Sequence, residues 1–516
     1  MEIQDTSRNS VVSKFFNIPV ILAFLLLVIL LSTAGNYGIF RDELYYVACG
    51  EHLDFGYVDQ PPLVALVTRL SLILFGSSLL GLRLFPALAG AATVLLAAVI
   101  AKELGGGKFA QGLASLTILA AMSLSVFFGT MSMNPFEVLI WTICAYLLIR
   151  ILKGASPKLW LLFGLAAGIG LQNKHSMLVF GFAAVVGLLL TRQRRLLASP
   201  WPWLGGAIAA LIFLPNLVWQ AANGWPTLEF LRNAQLYKNF PVSPLDFLLQ
   251  LTIALNPLTL PIWVAGLLFL FFGKDAAKFR PLGILFLVCL VVIMLQRSKF
   301  YYIIPAVPLL LAAGAVAIER FTRRVGWKWL NPAIASLLVI SGALLAPLAL
   351  PILPVESFIS FSQTIGMLEN IRTERHEQVA LPQHFADRFG WREMAETVAE
   401  VYNGLPEEEK AKCAIFTRNY GEAGAIDYFG PELGLPNAIC GHNSYWFWGP
   451  RDYSGEVVIC FGYSREWLEE HFAQVEEAAV IGHRYAMAYE TNLPVYICRQ
   501  PLVPLPDLWP DLKYYI

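Results

Sequence analysis

Apolar residues run in long blocks through the first 350 positions, and the polar residues gather between those blocks. Counted from charge to charge, the blocks fall near residues 16–37, 82–101, 109–129, 135–150, 159–173, 176–191, 203–222, 247–272, 281–296, 301–318 and 330–352. A helix needs about 20 mostly apolar residues to cross the hydrocarbon layer of a bilayer. The pattern therefore predicts an α-helical polytopic membrane protein with about 11 transmembrane helices, the pair at 159–191 being short. Between the first two blocks, "PPLVALVTRLSLILFG" is amphipathic, which predicts a segment lying along the outer membrane face.

After residue 354 the pattern changes. "WREMAETVAEVYNG" has helical periodicity, whereas "KCAIFTRNYGEAGAIDYFG", "GEVVICFGYS" and "LPVYICRQ" carry short strand-like runs between Gly, Asn and Pro. This predicts two domains: a transmembrane domain over 1–354 and a soluble α/β domain over 355–516.

Composition agrees with that division. The 516-residue chain is 57% hydrophobic and 14% charged, against about 25% charged in soluble domains. The net charge of zero hides a basic body, 25 Lys/Arg against 13 Asp/Glu through residue 355, and an acidic tail, 12 against 24. With the N-terminus placed inside, the cytoplasmic segments collect 17 basic residues, from Arg8 and Lys14 to Lys328, against 5 acidic ones, and the opposite side of the body holds 8 of each. Basic loops stay on the cytoplasmic side. This orientation, with an uncleaved first helix and an odd number of spans, places the tail outside, and the whole is expected in a bacterial inner membrane. The seven cysteines show no zinc-type spacing. Those of the tail read either as core residues or as one or two disulfides.

The charge pattern also singles out candidate chemistry. After 26 uncharged residues the chain places Arg41, Asp42 and Glu43 side by side, just beyond the first span. On the same expected side lie Asp59 and Gln60, before Pro61-Pro62, and Arg83 at the start of the second span. Asn134 and Glu137 stand at i, i+3 spacing, Lys174 and His175 at a turn, and Arg297, Lys299, Tyr301 and Tyr302 at another. Each alone reads first as a satisfied local polar group, an ion pair or an interfacial anchor. Together, carboxylates and cations at one membrane face suit a general base beside a bound phosphate. Tyr445, Trp446, Phe447 and Trp448 in the tail read either as core or as a surface for stacking on sugar. No dinucleotide, P-loop, nucleophile-elbow or zinc-protease motif is present.

The "RDE" at 41–43, "QPPL" at 60–63, "LRLFPALAGAATVLLAA" and "SKFYYIIPAVPLLLAAGAV" resemble the family 39 glycosyltransferases. These are the protein O-mannosyltransferases and bacterial aminoarabinose transferases of the membrane-embedded GT-C fold, and the resemblance covers roughly residues 15–350. It implies an inverting transfer from a polyprenyl-phosphate sugar to a protein, lipid or glycan acceptor outside the membrane, without nucleic acid. On that pattern Asp42 matches the catalytic base and Glu43 a second acidic position. Arg83, Lys299 and Tyr302 match groups near the donor phosphate and its lipid, with Lys174 and Arg297 as further candidates. Asp59, Gln60, Asn134, Glu137 and His175 remain for substrate.

Two departures stand out. Asp59-Gln60 replaces the Glu-Lys of the aminoarabinose transferases, and Asn134-Pro135 replaces Asp-Pro. No metal ligand set is named, no cofactor is implied with certainty, and a divalent metal is left open. "RNYGEAGAIDYFGPELGLP" and "GHNSYWFWGP" are similar to external domains of bacterial members. The competing reading is a lipid or polysaccharide flippase or transporter. Transporters tend to carry midplane charges and inverted repeats, which this sequence does not display. A membrane scaffold displaying a binding domain would leave the charge cluster unexplained.

Overall fold

In the computed structural model, described for residues 17–238, 242–366 and 379–516, each of the eleven apolar blocks is helical. Arg8 and Lys14, used in the orientation count, lie outside the described residues. Among those residues, six helices are long and apolar enough to cross a membrane: Leu79–Glu103, Met133–Leu152, Pro200–Ala222, Lys274–Leu295, Phe300–Val325 and Leu330–Ala349. Three bent pairs raise the number to nine: Lys108–Ala120 with Met122–Phe128, Met177–Leu189 with Arg192–Ala198, and Pro244–Ala254 with Pro257–Phe272. Helices Ile18–Ser32 and Leu159–Asn173 are shorter apolar helices and account for the other two blocks.

The chain divides into two compact units. The first comprises Met1–Gly35, Arg83–Leu217 and Pro241–Pro354. Its helices approach closely wherever glycine leaves room, since in lipid, tight packing replaces the hydrophobic drive as the source of helix association. A Cβ added to Gly314 would lie 1.9 Å from the Ile262 carbonyl oxygen, and one on Gly266 would lie 2.1 Å from that of Leu310. Helices Leu260–Phe272 and Val307–Val325 thus meet backbone to backbone.

The second unit is more than the tail. It gathers Asn36–Leu82 and Val218–Phe240 together with Val355–Ile516. Helix Arg41–Glu51 packs on helix Tyr420–Leu433. Asn419 caps the latter, accepting from the backbone N–H groups of Gly421 and Glu422, while Glu422 reaches back to the N–H of Asn419. The amphipathic segment forms helix Leu63–Phe75, with Val64, Ala65, Thr68 and Ser71 buried and Leu66, Leu70, Ile73 and Leu74 exposed.

Five strands make one sheet: β1 (Cys413–Thr417), β2 (Ile439–Cys440), β3 (Val457–Phe461), β4 (Phe472–Ile481) and β5 (Leu493–Pro501), in the order β2-β1-β3-β5-β4. β1 runs parallel to β2 and β3, and β5 antiparallel to β3 and β4. The three expected strand runs supply β1, β3 and β5. The second half of "KCAIFTRNYGEAGAIDYFG" is helix, because its apolar positions repeat at helical spacing once Asn419 has capped it. All seven cysteines are buried thiols without disulfides.

Candidate active site

Most of the expected site residues fall into two constellations, one in each unit. In the second unit, Phe40 precedes helix Arg41–Glu51 and Glu43 closes its first turn, accepting the Phe40 backbone N–H at 2.9 Å. That capping role leaves Glu43 wholly buried. Asp42, one position earlier on the turn, stays partly exposed and accepts the Tyr420 hydroxyl at 2.9 Å. Arg41 turns toward the tail, where its guanidinium lies 4.8 Å from the Tyr420 ring centre and 5.3 Å from that of Tyr489. Arg41 also donates to the Tyr489 hydroxyl, which donates to Asp387 at 3.2 Å. The three consecutive charges are therefore set to three different tasks.

Asp59 accepts the Tyr45 hydroxyl at 2.9 Å, and the Tyr45 ring stacks on that of Tyr420 at 4.7 Å. Gln60 is completely buried. Its amide nitrogen faces the Cys49 sulfur at 3.6 Å, and its oxygen has no hydrogen-bond partner among the described residues. The tail aromatics pack inside the unit: Tyr445 donates to Asp427 at 2.8 Å, Trp446 and Trp509 exchange ring N–H bonds with each other's carbonyls, and Trp448 stacks on His52.

Burial shifts several acids here. Asp427 is pushed up to about 6 by burial, although the Ala438 N–H and the Tyr445 hydroxyl pull the other way. Burial raises Glu422 as well, against its backbone hydrogen bonds. Glu490 shares Asn419 with Glu422 and is raised by burial and then by the Glu422 charge. A raised carboxyl binds its proton more tightly in the folded state. Its contribution to stability is therefore complete below the unfolded value near 4 and is lost as pH rises through the folded value. The full chain in detergent should have a higher melting temperature at pH 5 than at pH 7.5. Asp427→Asn should flatten that dependence by removing a contribution of roughly 1.4 kcal/mol between the two pH values. An unchanged slope in Asp427→Asn would remove this acid from the explanation.

In the first unit, Ser132 caps helix Met133–Leu152, placing Asn134 and Glu137 one turn apart on a shared face. Helix Leu159–Asn173 ends at Lys174, whose backbone turns extended. Its ammonium group donates to Asn134 Oδ1 and Glu137 Oε2, both at 2.9 Å, and lies 4.4 Å from the Tyr302 ring centre. Ser176 donates to the second oxygen of Glu137. Tyr302 stacks on Tyr301 at 5.0 Å, and the Lys299 ammonium lies 5.8 Å from the Tyr301 ring. Four of the expected residues, Asn134, Glu137, Lys174 and Tyr302, thus form a single cluster.

The others are placed differently. His175 contacts Asn216 at 3.1 Å. Arg83 is 1% exposed and donates to the Ala34 carbonyl. Arg297 is exposed, with φ of 53° in the left-handed region. Sequence reasoning missed Tyr420, Tyr45, Tyr489, Asp387 and Ser176. Ser176 lies beside an expected residue. The tail tyrosines follow the loop carboxylates by hundreds of positions, so no local pattern marks them. Among the described residues no three His, Cys, Asp or Glu side chains converge as metal ligands.

Residues 59–219 match the family described as dolichyl-phosphate-mannose-protein mannosyltransferase. The lipid A galacturonosyltransferase RgtD of Rhizobium johnstonii is 29% identical over 203 residues, 39% of this chain, and the chain spans 42% of that relative's length. ArnT from Cupriavidus metallidurans, solved bound to undecaprenyl phosphate, superposes with a TM-score of 0.63 at 16% identity over 93% of this chain and 97% of its own. Its apo structure gives 0.61 at 15% identity, with the same coverage. On these matches the chain is similar to the PMT/ArnT-like family 39 glycosyltransferases. Its fold is the GT-C fold, a multi-pass helical body with a small C-terminal sheet region. The family match begins at Asp59, so the Asp42 turn precedes it, whereas the Lys174 cluster lies within it except for Tyr302.

Proposed function

We propose that the protein is an inverting glycosyltransferase that moves a sugar from a polyprenyl-phosphate donor to a hydroxyl or amine outside the membrane. The observation that carries this reading is the partly exposed Asp42 carboxylate, one oxygen of which is held by Tyr420. Asp42 takes the proton of the acceptor, whose oxygen or nitrogen attacks the anomeric carbon. The bond to the phosphate breaks, and the polyprenyl phosphate leaves with its electron pair. Attack from the face opposite the phosphate inverts the anomeric centre. Glu43 supports this base by capping its helix turn.

The departing phosphate needs cations, since developing negative charge is best stabilised by groups already in position. Lys174 shares its charge with Glu137, so Lys299 and Arg297 supply the additional positive charge, and Tyr302 carries Lys174 on its ring face. Asn134, His175, Asp59 and Gln60 are assigned to substrate positioning, and Arg83 to holding the end of the first helix near the donor lipid. The relatives support the donor class. One is named for dolichyl-phosphate-mannose and another was solved with undecaprenyl phosphate. Their names divide between protein and lipid acceptors.

The protein is assigned to a bacterial inner membrane with the sheet-bearing unit outside. Cells lacking it should accumulate a polyprenyl-phosphate sugar and lose one glycan modification, read by mass spectrometry of lipid extracts. Unchanged glycans with unchanged prenyl-phosphate pools would overturn the transferase reading.

A further inference from the structure

We infer that Tyr420, from the C-terminal sheet-bearing segment, is a positioning residue for Asp42, so that the tail forms part of the catalytic apparatus. This inference rests on the reading of Asp42 as the base. A carboxylate on a helix turn can rotate about its side-chain bonds and present either oxygen. A hydroxyl 2.9 Å from Oδ1 fixes that rotation and leaves the other oxygen for an acceptor proton. Tyr420 is 7% exposed and sits between two anchors. Its ring stacks on Tyr45, three residues beyond Asp42 on the same helix, and carries the Arg41 guanidinium at 4.8 Å. Its backbone N–H donates to His442 Nδ1 at 3.3 Å.

The approach of the two helices is built in by glycine. A Cβ on Gly421 would lie 2.8 Å from Arg41 Cγ, and one on Gly424 would lie 2.8 Å from Leu44 Cβ. Residues 41, 42, 44 and 45 therefore all meet the first turns of helix Tyr420–Leu433. Burial and the Asp42 charge both raise the Tyr420 phenol, keeping its proton in place, so the hydroxyl remains the donor in this contact. When Asp42 gains the acceptor's proton on its second oxygen, Oδ1 still accepts from Tyr420. The contact is strongest to the charged carboxylate, and it aligns the base before transfer.

The test uses the full-length protein in detergent with the polyprenyl-phosphate sugar purified from cells lacking it. Tyr420→Phe keeps the ring and both of its stacking partners. It should lower kcat about tenfold, the loss expected for one hydrogen bond to a charged group, with the donor KM unchanged. In an Asp42→Asn background the same substitution should have no further effect on kcat, since there is no base left to align. Wild-type turnover in Tyr420→Phe while Asp42→Asn is inactive would overturn this inference and leave the base assignment standing. Full activity in Asp42→Asn would overturn both. A fall in undecaprenyl-phosphate binding that matches the fall in kcat would make Tyr420 merely structural, which also overturns the inference.

Discussion

Asp42→Asn should lower turnover by about 10³, the middle of the range for removing a general base, while undecaprenyl phosphate binds as it does to the native protein. The substitution is nearly isosteric, and its amide oxygen can still accept the Tyr420 hydroxyl, so the local packing survives. What disappears is the capacity to take a proton. The acceptor would then have to attack while still protonated, which raises the barrier to transfer without altering donor affinity. Single-turnover measurements with the accumulated lipid-linked sugar separate the two effects. Rapid single turnover in Asp42→Asn would exclude Asp42 as the base, whatever its effect on steady-state rates.

The second large effect concerns the Lys174–Glu137 pair, whose side chains are 11% and 2% exposed. Glu137→Ala leaves an ammonium group with only Asn134 and the Tyr302 ring as neighbours among the contacts described above. Breaking one partner of a buried pair costs about 3–5 kcal/mol, because the remaining charge is neither solvated nor compensated. The melting temperature in detergent should fall accordingly. Replacing both residues, Glu137→Met with Lys174→Met, should recover most of that loss, since two apolar chains of similar volume need no solvation. The double variant should nevertheless bind undecaprenyl phosphate more weakly. A native melting temperature in Glu137→Ala would dismiss the pair as a structural unit. Native affinity in the double variant would remove Lys174 from the phosphate ligands.

Much of the fold was legible because bilayer crossing is a local requirement. Twenty residues must be apolar together, and the eleven blocks declare themselves one at a time, as do β1, β3 and β5 in the tail. The Asn134–Glu137 spacing was equally readable, since one helical turn puts both on the same face. Their meeting with Lys174, 37 residues after Glu137, was suggested only by shared placement at span ends, and the distances came from packing. For the loop carboxylates the charge pattern marked the pair, and only the family resemblance separated their tasks. Glu43 caps its own turn because it stands three residues after Phe40, a local relation visible in hindsight.

The sequence by itself determined the helical membrane body, the strand runs of the tail, and the gathering of charges at span ends. It did so because hydrophobic periodicity and charge spacing act within a few turns of chain. Only the tertiary structure decided that residues 36–82 and 218–240 belong to the same compact unit as the tail. It alone showed that Asp42 is held by a tyrosine 378 positions later. The physical reason is that such contacts depend on close approach at glycines 421 and 424 and on one hydroxyl direction. Neither leaves a periodic trace in either partner's own sequence.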